Sequence, residues 1–136
     1  MSVAELEEFF RQAFPDAEEY QHARIDRIEP GRLRLVLEPD AMALRPGGVV
    51  SGPTQMGLAD RAAYAVILAH IGPVAMAVTS NLNFTFLRKV PHARLVADAQ
   101  LLKLGRRLAT VDVRLWQDDD AVVLGQATVT YAIPVA

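Results

Sequence analysis

The chain contains no cysteine, which removes disulfides, thiolate metal sites and a cysteine nucleophile. Its three histidines, His22, His70 and His92, are too widely spaced to replace a thiolate site, so no metal is expected. Neither sign of charge is in excess: 14 Lys and Arg stand against 16 Asp and Glu, for a formal net charge of −2. The broad basic field that binds phosphate backbones through counterion release is therefore missing, and no nucleic acid partner is expected. The opening MSVAELEEFF is acidic where a secretory signal is positive, and no apolar core with a small-residue cleavage site follows it. The expected location is the cytoplasm. No apolar run is long enough for a membrane span, because the stretch from Ala62 to Val78 is interrupted by His70 and Gly72-Pro73, and spanning takes ~20 consecutive apolar residues. What remains, 136 residues with 51% apolar and 22% charged, is the ordinary mix of one compact domain over residues 1–136.

Local patterns then divide the chain. Val3, Leu6, Phe9, Phe10 and Ala13 recur at helical spacing behind a Ser2…Glu5 capping box, which predicts an amphipathic helix ending near Pro15. From Ala23 the pattern changes to alternation on either side of Pro30-Gly31, the signature of a hairpin with one solvated face. The segment from Pro39 to Val50 has no period and is expected to be a loop able to approach a ligand closely. Ser51-Gly52-Pro53-Thr54 reads as a helix start. The helix that follows, to about His70, is apolar nearly all round and so must be buried nearly all round. Strand-like runs follow at Val78 to Leu87, Arg94 to Leu104, Arg107 to Trp116 and Ala121 to Ile133. This order argues an α+β fold with an antiparallel sheet wrapped around one long central helix. Long edge strands on so small a chain also invite pairing between copies.

Asp60 is the residue out of place, a carboxylate in the middle of the apolar helix. A buried charge must be paired, shifted or kept for chemistry. Arg61 points about 100° away around the helix and is a poor partner; a solvated stripe or pairing with Arg106 are the structural alternatives. Gly52 stands eight residues earlier, in the first turn, where unpaired backbone N–H groups can polarise a carbonyl. Thr79 opens the next strand, and simple alternation puts it on one polar face with Asn81, Asn83 and Thr85.

These residues resemble a known family. SGPTQMGLAD with its hydrophobic helix, then VTSNLNFTFLR, then LLKLGRRLATVDVR, are similar to the hotdog-fold acyl-CoA thioesterases of the PaaI-like group, related to 4-hydroxybenzoyl-CoA thioesterase, and the likeness runs from about Leu33 to Tyr131. The resemblance implies a homodimer or homotetramer with sites between subunits, coenzyme A thioester as substrate and no other cofactor. It implies Asp60 as general base or nucleophile, the Gly52 N–H as the group polarising the thioester carbonyl, and Thr79 as a holder of the attacking water. It further implies coenzyme A contacts from Arg88, Lys89, Gly105, Arg106 and Arg107. Beside it, the residues themselves suggest substrate contacts from Arg45, Ser51, Met56, Tyr64 and Asn81, with Met42 and Phe84 as further candidates for the apolar acyl pocket.

Three departures bear on this. Ser51 replaces the family's His, Pro53 its second Gly, and Arg45 an Asn or Gln that touches the carbonyl. Arg45 can donate to that carbonyl or pair with Asp60 and weaken it as a base. Two rival readings follow: an acyl-CoA binding or sensing module in which Arg45 silences Asp60, and a hotdog-fold dehydratase or hydratase needing a histidine beside the carboxylate. Asp118-Asp119-Asp120 is expected to be a solvated turn, and Trp116 a packing residue at a strand end.

Overall fold

The computed structural model describes residues 1–15 and 23–134. Helix α1 (Val3–Ala13) starts on the predicted capping box. Ser2 Oγ accepts the Glu5 N–H at 3.2 Å while the Ser2 N–H donates to Glu5 Oε1 at 3.0 Å. Its buried residues, Leu6 and Phe10, lie one turn apart and enter the core. The N-terminal ammonium donates to the Ala69 carbonyl at 2.6 Å, near the negative end of the central helix.

Strands β1 (Ala23–Glu29) and β2 (Arg32–Leu37) form the expected hairpin, with Glu29 opposite Arg32. His22 lies outside the described residues. The segment expected to be an aperiodic loop contains a 3-10 turn at Pro39–Ala41 and a small hairpin, β3 (Leu44–Arg45) with β4 (Val49–Val50). Gly47 and Gly48 make its turn at φ of 96° and 74°, a conformation that costs other residues energy but glycine little.

Helix α2 (Gly52–Ile71) is buried at Leu58, Ala59 and every position from Arg61 to Ala69. Six antiparallel strands wrap it: β1, β2, β5 (Val78–Phe86), β6 (Leu95–Leu104), β7 (Leu108–Trp116) and β8 (Gly125–Ala132), in the order β1-β2-β6-β7-β8-β5. The helix touches all six. This is the hotdog arrangement. Alanines let sheet and helix approach closely: Ala59, Ala62, Ala63 and Ala65 face a sheet that offers Ala97, Ala99, Ala109 and Ala127, all buried, while Leu58, Ile67, Leu68, Leu95, Val113 and Leu115 fill the remaining space. Among the described residues no helix is long and apolar enough to cross a membrane.

His70 joins the helix end to the first hairpin. Its Nε2 accepts the Gly31 N–H at 2.8 Å, and Nδ1 lies 2.8 Å from the Val66 carbonyl. A backbone N–H can only donate, so the imidazole proton sits on Nδ1 and is given to Val66. The last strand starts at Gly125 rather than Ala121. The acidic turn extends into that stretch, since Asp119 accepts the Ala121 N–H on its carboxylate at 2.9 Å and the Val122 N–H on its carbonyl at 3.0 Å.

The outer face of the sheet, away from α2, holds a groove of about 360 Å³ whose lining includes Arg27, Arg34, Asp98, Asp112, Arg114 and Trp116. Much of its charge is matched internally. Arg34 donates to both oxygens of Asp98 at 2.7 and 3.1 Å, Trp116 Nε1 donates to the same carboxylate at 2.9 Å, and Arg114 donates to Asp112 at 3.1 Å. The Asp98 hydrogen bond holds the Arg34 guanidinium above its ordinary range. Trp116 is indeed a packing residue, with the Arg34 guanidinium 5.0 Å from its ring centre.

The two sheet edges differ. β1 lies against α1, whereas among the described residues no strand pairs with the far edge of β5, where Val78 and Phe86 are more than half exposed.

Candidate active site

Asp60 lies half-buried on α2 and is held by two hydroxyls. Thr79 Oγ1 donates to Asp60 Oδ1 at 2.7 Å, and the Tyr131 hydroxyl donates to the same oxygen at 2.8 Å while lying 3.2 Å from the Asp60 carbonyl. Thr79 and Tyr131 are direct cross-strand partners on β5 and β8, so the sheet delivers both donors to one point on the helix. Arg106 is not the partner of Asp60. Nor is Arg45, which is exposed on β3 opposite Val49, so the silencing ion pair does not form within the chain. The more deeply buried charge on this helix is Arg61, at 7% exposure, a burial that the reading of Asp60 as the misplaced charge overlooked.

Asn81 does not share the face of Thr79, contrary to the alternation argument. Thr79 pairs with Tyr131 but Asn81 pairs with Thr130, so Ser80 is an extra residue in the strand. Such a bulge reverses the facing of everything beyond it. Thr79 points to Asp60, whereas Asn81, Asn83 and Thr85 share the outer face with Thr130, Thr128 and Gln126.

The first turn of α2 leaves one donor over. Pro53 has no N–H, the Thr54 N–H goes to Ser51 Oγ at 3.3 Å, and the Gln55 N–H goes to the Ser51 carbonyl at 3.2 Å. Among the described residues the Gly52 N–H has no such acceptor, as helix geometry requires of a first residue. The Ser51 hydroxyl is occupied as the helix cap and lies 2.9 Å from Thr54 Oγ1. Glycine at position 52 also has a packing reason: a Cβ there would sit 3.2 Å from Phe86 Cζ. Met56 lies between Gly52 and Asp60 on the same helix face, at i+4 from one and i−4 from the other, and is half-buried.

Tyr64, expected to line an acyl site, is instead 3% exposed. Its ring packs against Phe10, Phe14 and Tyr131 with centroids 5.9, 5.9 and 5.6 Å away, and its hydroxyl donates to the Ala75 carbonyl at 3.1 Å. Phe10 of helix α1 and Phe14, the C-cap residue that follows it, cover Tyr64. Met42 is likewise in the core. Phe84 is half-buried, with its ring centre 4.4 Å from that of Phe86.

The two basic segments lie at opposite ends of the site. Arg88 and Lys89 are exposed just beyond Phe86, at the Gly52 end, where the Arg88 N–H donates to the Leu124 carbonyl at 3.0 Å. Gly105, Arg106 and Arg107 turn between β6 and β7 at the Asp60 end, since Leu108 pairs with Ala132, the residue after Tyr131. The Gly105 N–H closes that turn on the Leu108 carbonyl at 2.9 Å, and both arginines are exposed.

His70 and His92 each bind a backbone carbonyl, of Val66 and Pro39 respectively, and neither touches Asp60. The histidine–carboxylate pair that a dehydratase needs is thus not formed by these two. Among the described residues no group of three or more His, Asp or Glu could hold a metal ion.

A family model described as the thioesterase superfamily matches residues 47–124, from the β3–β4 turn through the Asp60 helix to the residue before β8. The chain belongs to the thioesterase superfamily. No curated protein sequence matches it. Among solved structures, a candidate thioesterase from Silicibacter sp. TM1040 is 37% identical with a TM-score of 0.89, the match covering 99% of this chain and 93% of that one. A candidate thioesterase from Ralstonia eutropha JMP134, described as related to phenylacetic acid degradation, is 26% identical with a TM-score of 0.76, covering 92% and 98%. A Streptococcus mutans UA159 protein solved with acetyl-CoA bound shares the fold at 21% identity and a TM-score of 0.71, covering 82% and 88%. The resemblance to the PaaI-like hotdog group, drawn from the SGPTQMGLAD, VTSNLNFTFLR and LLKLGRRLATVDVR stretches, therefore holds.

Proposed function

We propose that the protein, a single hotdog domain over residues 1–136, hydrolyses acyl-CoA thioesters to a free acid and coenzyme A. The observation that carries this reading is Asp60, a half-buried carboxylate anchored through one oxygen by Thr79 and Tyr131, on a helix whose Gly52 N–H has no acceptor among the described residues. Attack on a thioester carbonyl places negative charge on its oxygen, and a fixed N–H aimed there stabilises it. Asp60 serves as base or nucleophile. As base it takes a proton from water, the hydroxide adds to the carbonyl carbon, the carbon–sulfur bond breaks, and the thiolate leaves and is protonated. No cofactor is called for, and cytoplasmic acyl-CoA is the implied substrate pool.

Helix geometry favours a site shared by two copies. Eight residues at 1.5 Å each separate Gly52 from Asp60 by about 12 Å, too far for one chain's pair to act on one carbonyl. The far edge of β5 offers the solution. Antiparallel pairing of two β5 strands about a two-fold axis sets the Thr79 end of one against the Phe86 end of the other. Asp60 of one subunit then approaches Gly52 of its partner, and the Arg106-Arg107 turn of the first meets the Arg88-Lys89 segment of the second. Those basic groups suit the phosphates of coenzyme A, a ligand that the Streptococcus mutans relative carries as acetyl-CoA. Arg45, on the hairpin leading into Gly52, is placed to reach the acyl carbonyl or a carboxylate on the substrate. Met56, between Gly52 and Asp60, is placed to touch the acyl chain.

The test is thiol release from short, medium, long and aromatic acyl-CoA substrates by wild type, Asp60→Ala and Asp60→Asn. Turnover that collapses in both variants, with folding intact, supports the reading and names the acyl class. Tight binding without turnover in the wild type overturns it in favour of an acyl-CoA binding module.

A further inference from the structure

We infer that Tyr131 is a positioning residue for Asp60: with Thr79 it occupies Oδ1 and so leaves Oδ2 as the oxygen that meets water or the thioester. The inference rests on the thioesterase reading and adds the residue that decides which carboxylate oxygen reacts. A carboxylate offers about four lone-pair sites, two on each oxygen. Here both donors converge on Oδ1, from Thr79 at 2.7 Å and Tyr131 at 2.8 Å. Rotating the carboxylate to exchange its oxygens breaks two charge-assisted hydrogen bonds at once, so the orientation is fixed. The single Tyr131 proton goes to Oδ1 rather than to the Asp60 carbonyl, because the carboxylate contact is both shorter, 2.8 against 3.2 Å, and charged.

The phenol is itself held in place. Tyr131 is 3% exposed and continues the inward row of Ala127 and Val129 on β8. Its ring lies against Tyr64, which also packs against Phe10 and Phe14 from the N-terminal segment. This aromatic series connects α1 to the carboxylate. It gives the N-terminal helix a part in the site although none of its residues is seen to touch Asp60.

Tyr131→Phe tests the inference, because it keeps the ring and its packing and removes only the hydroxyl. The expected result is a fall of about tenfold or more in kcat, with KM and melting temperature near those of wild type. The same substitution in Asp60→Asn protein is expected to change the residual rate no further, since the oriented base is already gone. Wild-type kcat in Tyr131→Phe, while Asp60→Asn is inactive, overturns the inference and leaves the thioesterase reading standing. So does an equal loss in both backgrounds, which means that the hydroxyl acts independently of the Asp60 carboxylate. Wild-type turnover in Asp60→Asn overturns both.

Discussion

Thr79 and Tyr131 face each other across β5 and β8, and their hydroxyls meet on one oxygen of Asp60 at 2.7 and 2.8 Å. Two strands far apart in sequence thus fix one carboxylate on a third element. A shift of one residue in either strand would send a hydroxyl to the opposite face of the sheet.

Thr79 should behave as a donor rather than as a filler of space. Thr79→Val, similar in shape but without the hydroxyl, is expected to lower kcat by about 10- to 100-fold, the worth of a hydrogen bond of about 1.5–3 kcal/mol to a charged group. Thr79→Ser keeps the donor and should stay within a few-fold of wild type. Steady-state thiol release from the best acyl-CoA substrate distinguishes the two.

The Gly52 N–H can be deleted without removing a side chain. Ser51 is already extended at φ −67° and ψ 152°, as a residue before proline must be, and proline is accepted at a helix start. Residue 52 also precedes Pro53, which disfavours helical backbone there, so Gly52→Pro should fold with some loss of stability and with Phe86 displaced by a few tenths of an ångström. Its kcat should drop by about 10²–10³, the usual effect of losing an oxyanion donor. Circular dichroism and thiol release together check this.

Local signals carried much of this architecture. The capping box at Ser2 and Glu5, the Pro30-Gly31 hairpin and the Ser51 helix start depend on neighbours within a few residues, so the sequence displays them directly. Asp60 stood out because one charge interrupts an apolar helix. Tyr131 was not found, since its bond to Asp60 spans 71 residues and depends on strand pairing. The available signal was a hydroxyl-bearing aromatic ending the inward row Ala127, Val129, Tyr131. Asn81 was misplaced because a one-residue bulge at Ser80 has no local mark, and Tyr64 because nothing in its own helix shows that α1 folds over it. The small hairpin at Leu44–Val50 escaped for want of length: two residues per strand show no period.

Gly125 should be intolerant of any side chain. A Cβ there would lie 2.7 Å from Phe84 Cζ and 2.8 Å from its Cε1, and that ring already packs against Phe86. Gly125→Ala is expected to destabilise the fold by about 1–3 kcal/mol, as overpacking does, and a second change, Phe84→Leu, should recover part of the loss. Chemical denaturation of the single and double variants measures it.

Acid should loosen the N-terminal helix first. The Ser2 backbone N–H and then its hydroxyl hold the Glu5 carboxyl below the usual glutamate range, and Arg11, mainly through its hydrogen bond, does the same for Glu8. A lowered folded-state value means the stabilising contribution is complete above the ordinary glutamate range and is lost as pH falls through the folded values. Amide exchange in α1 should therefore accelerate as pH drops below the ordinary glutamate range, after correction for intrinsic rates. Glu5→Gln should show less of that acceleration.

In the proposed site, Asp60 of one subunit serves a carbonyl polarised by Gly52 of the other. Asp60→Asn and Gly52→Pro proteins, each inactive alone, can be co-expressed or unfolded and refolded together and assayed for thiol release. Mixed dimers contain one site with an intact Asp60 and an intact Gly52, so the account predicts that activity returns on mixing. A mixture as inactive as its parents, with mixed dimers shown to form, would contradict it.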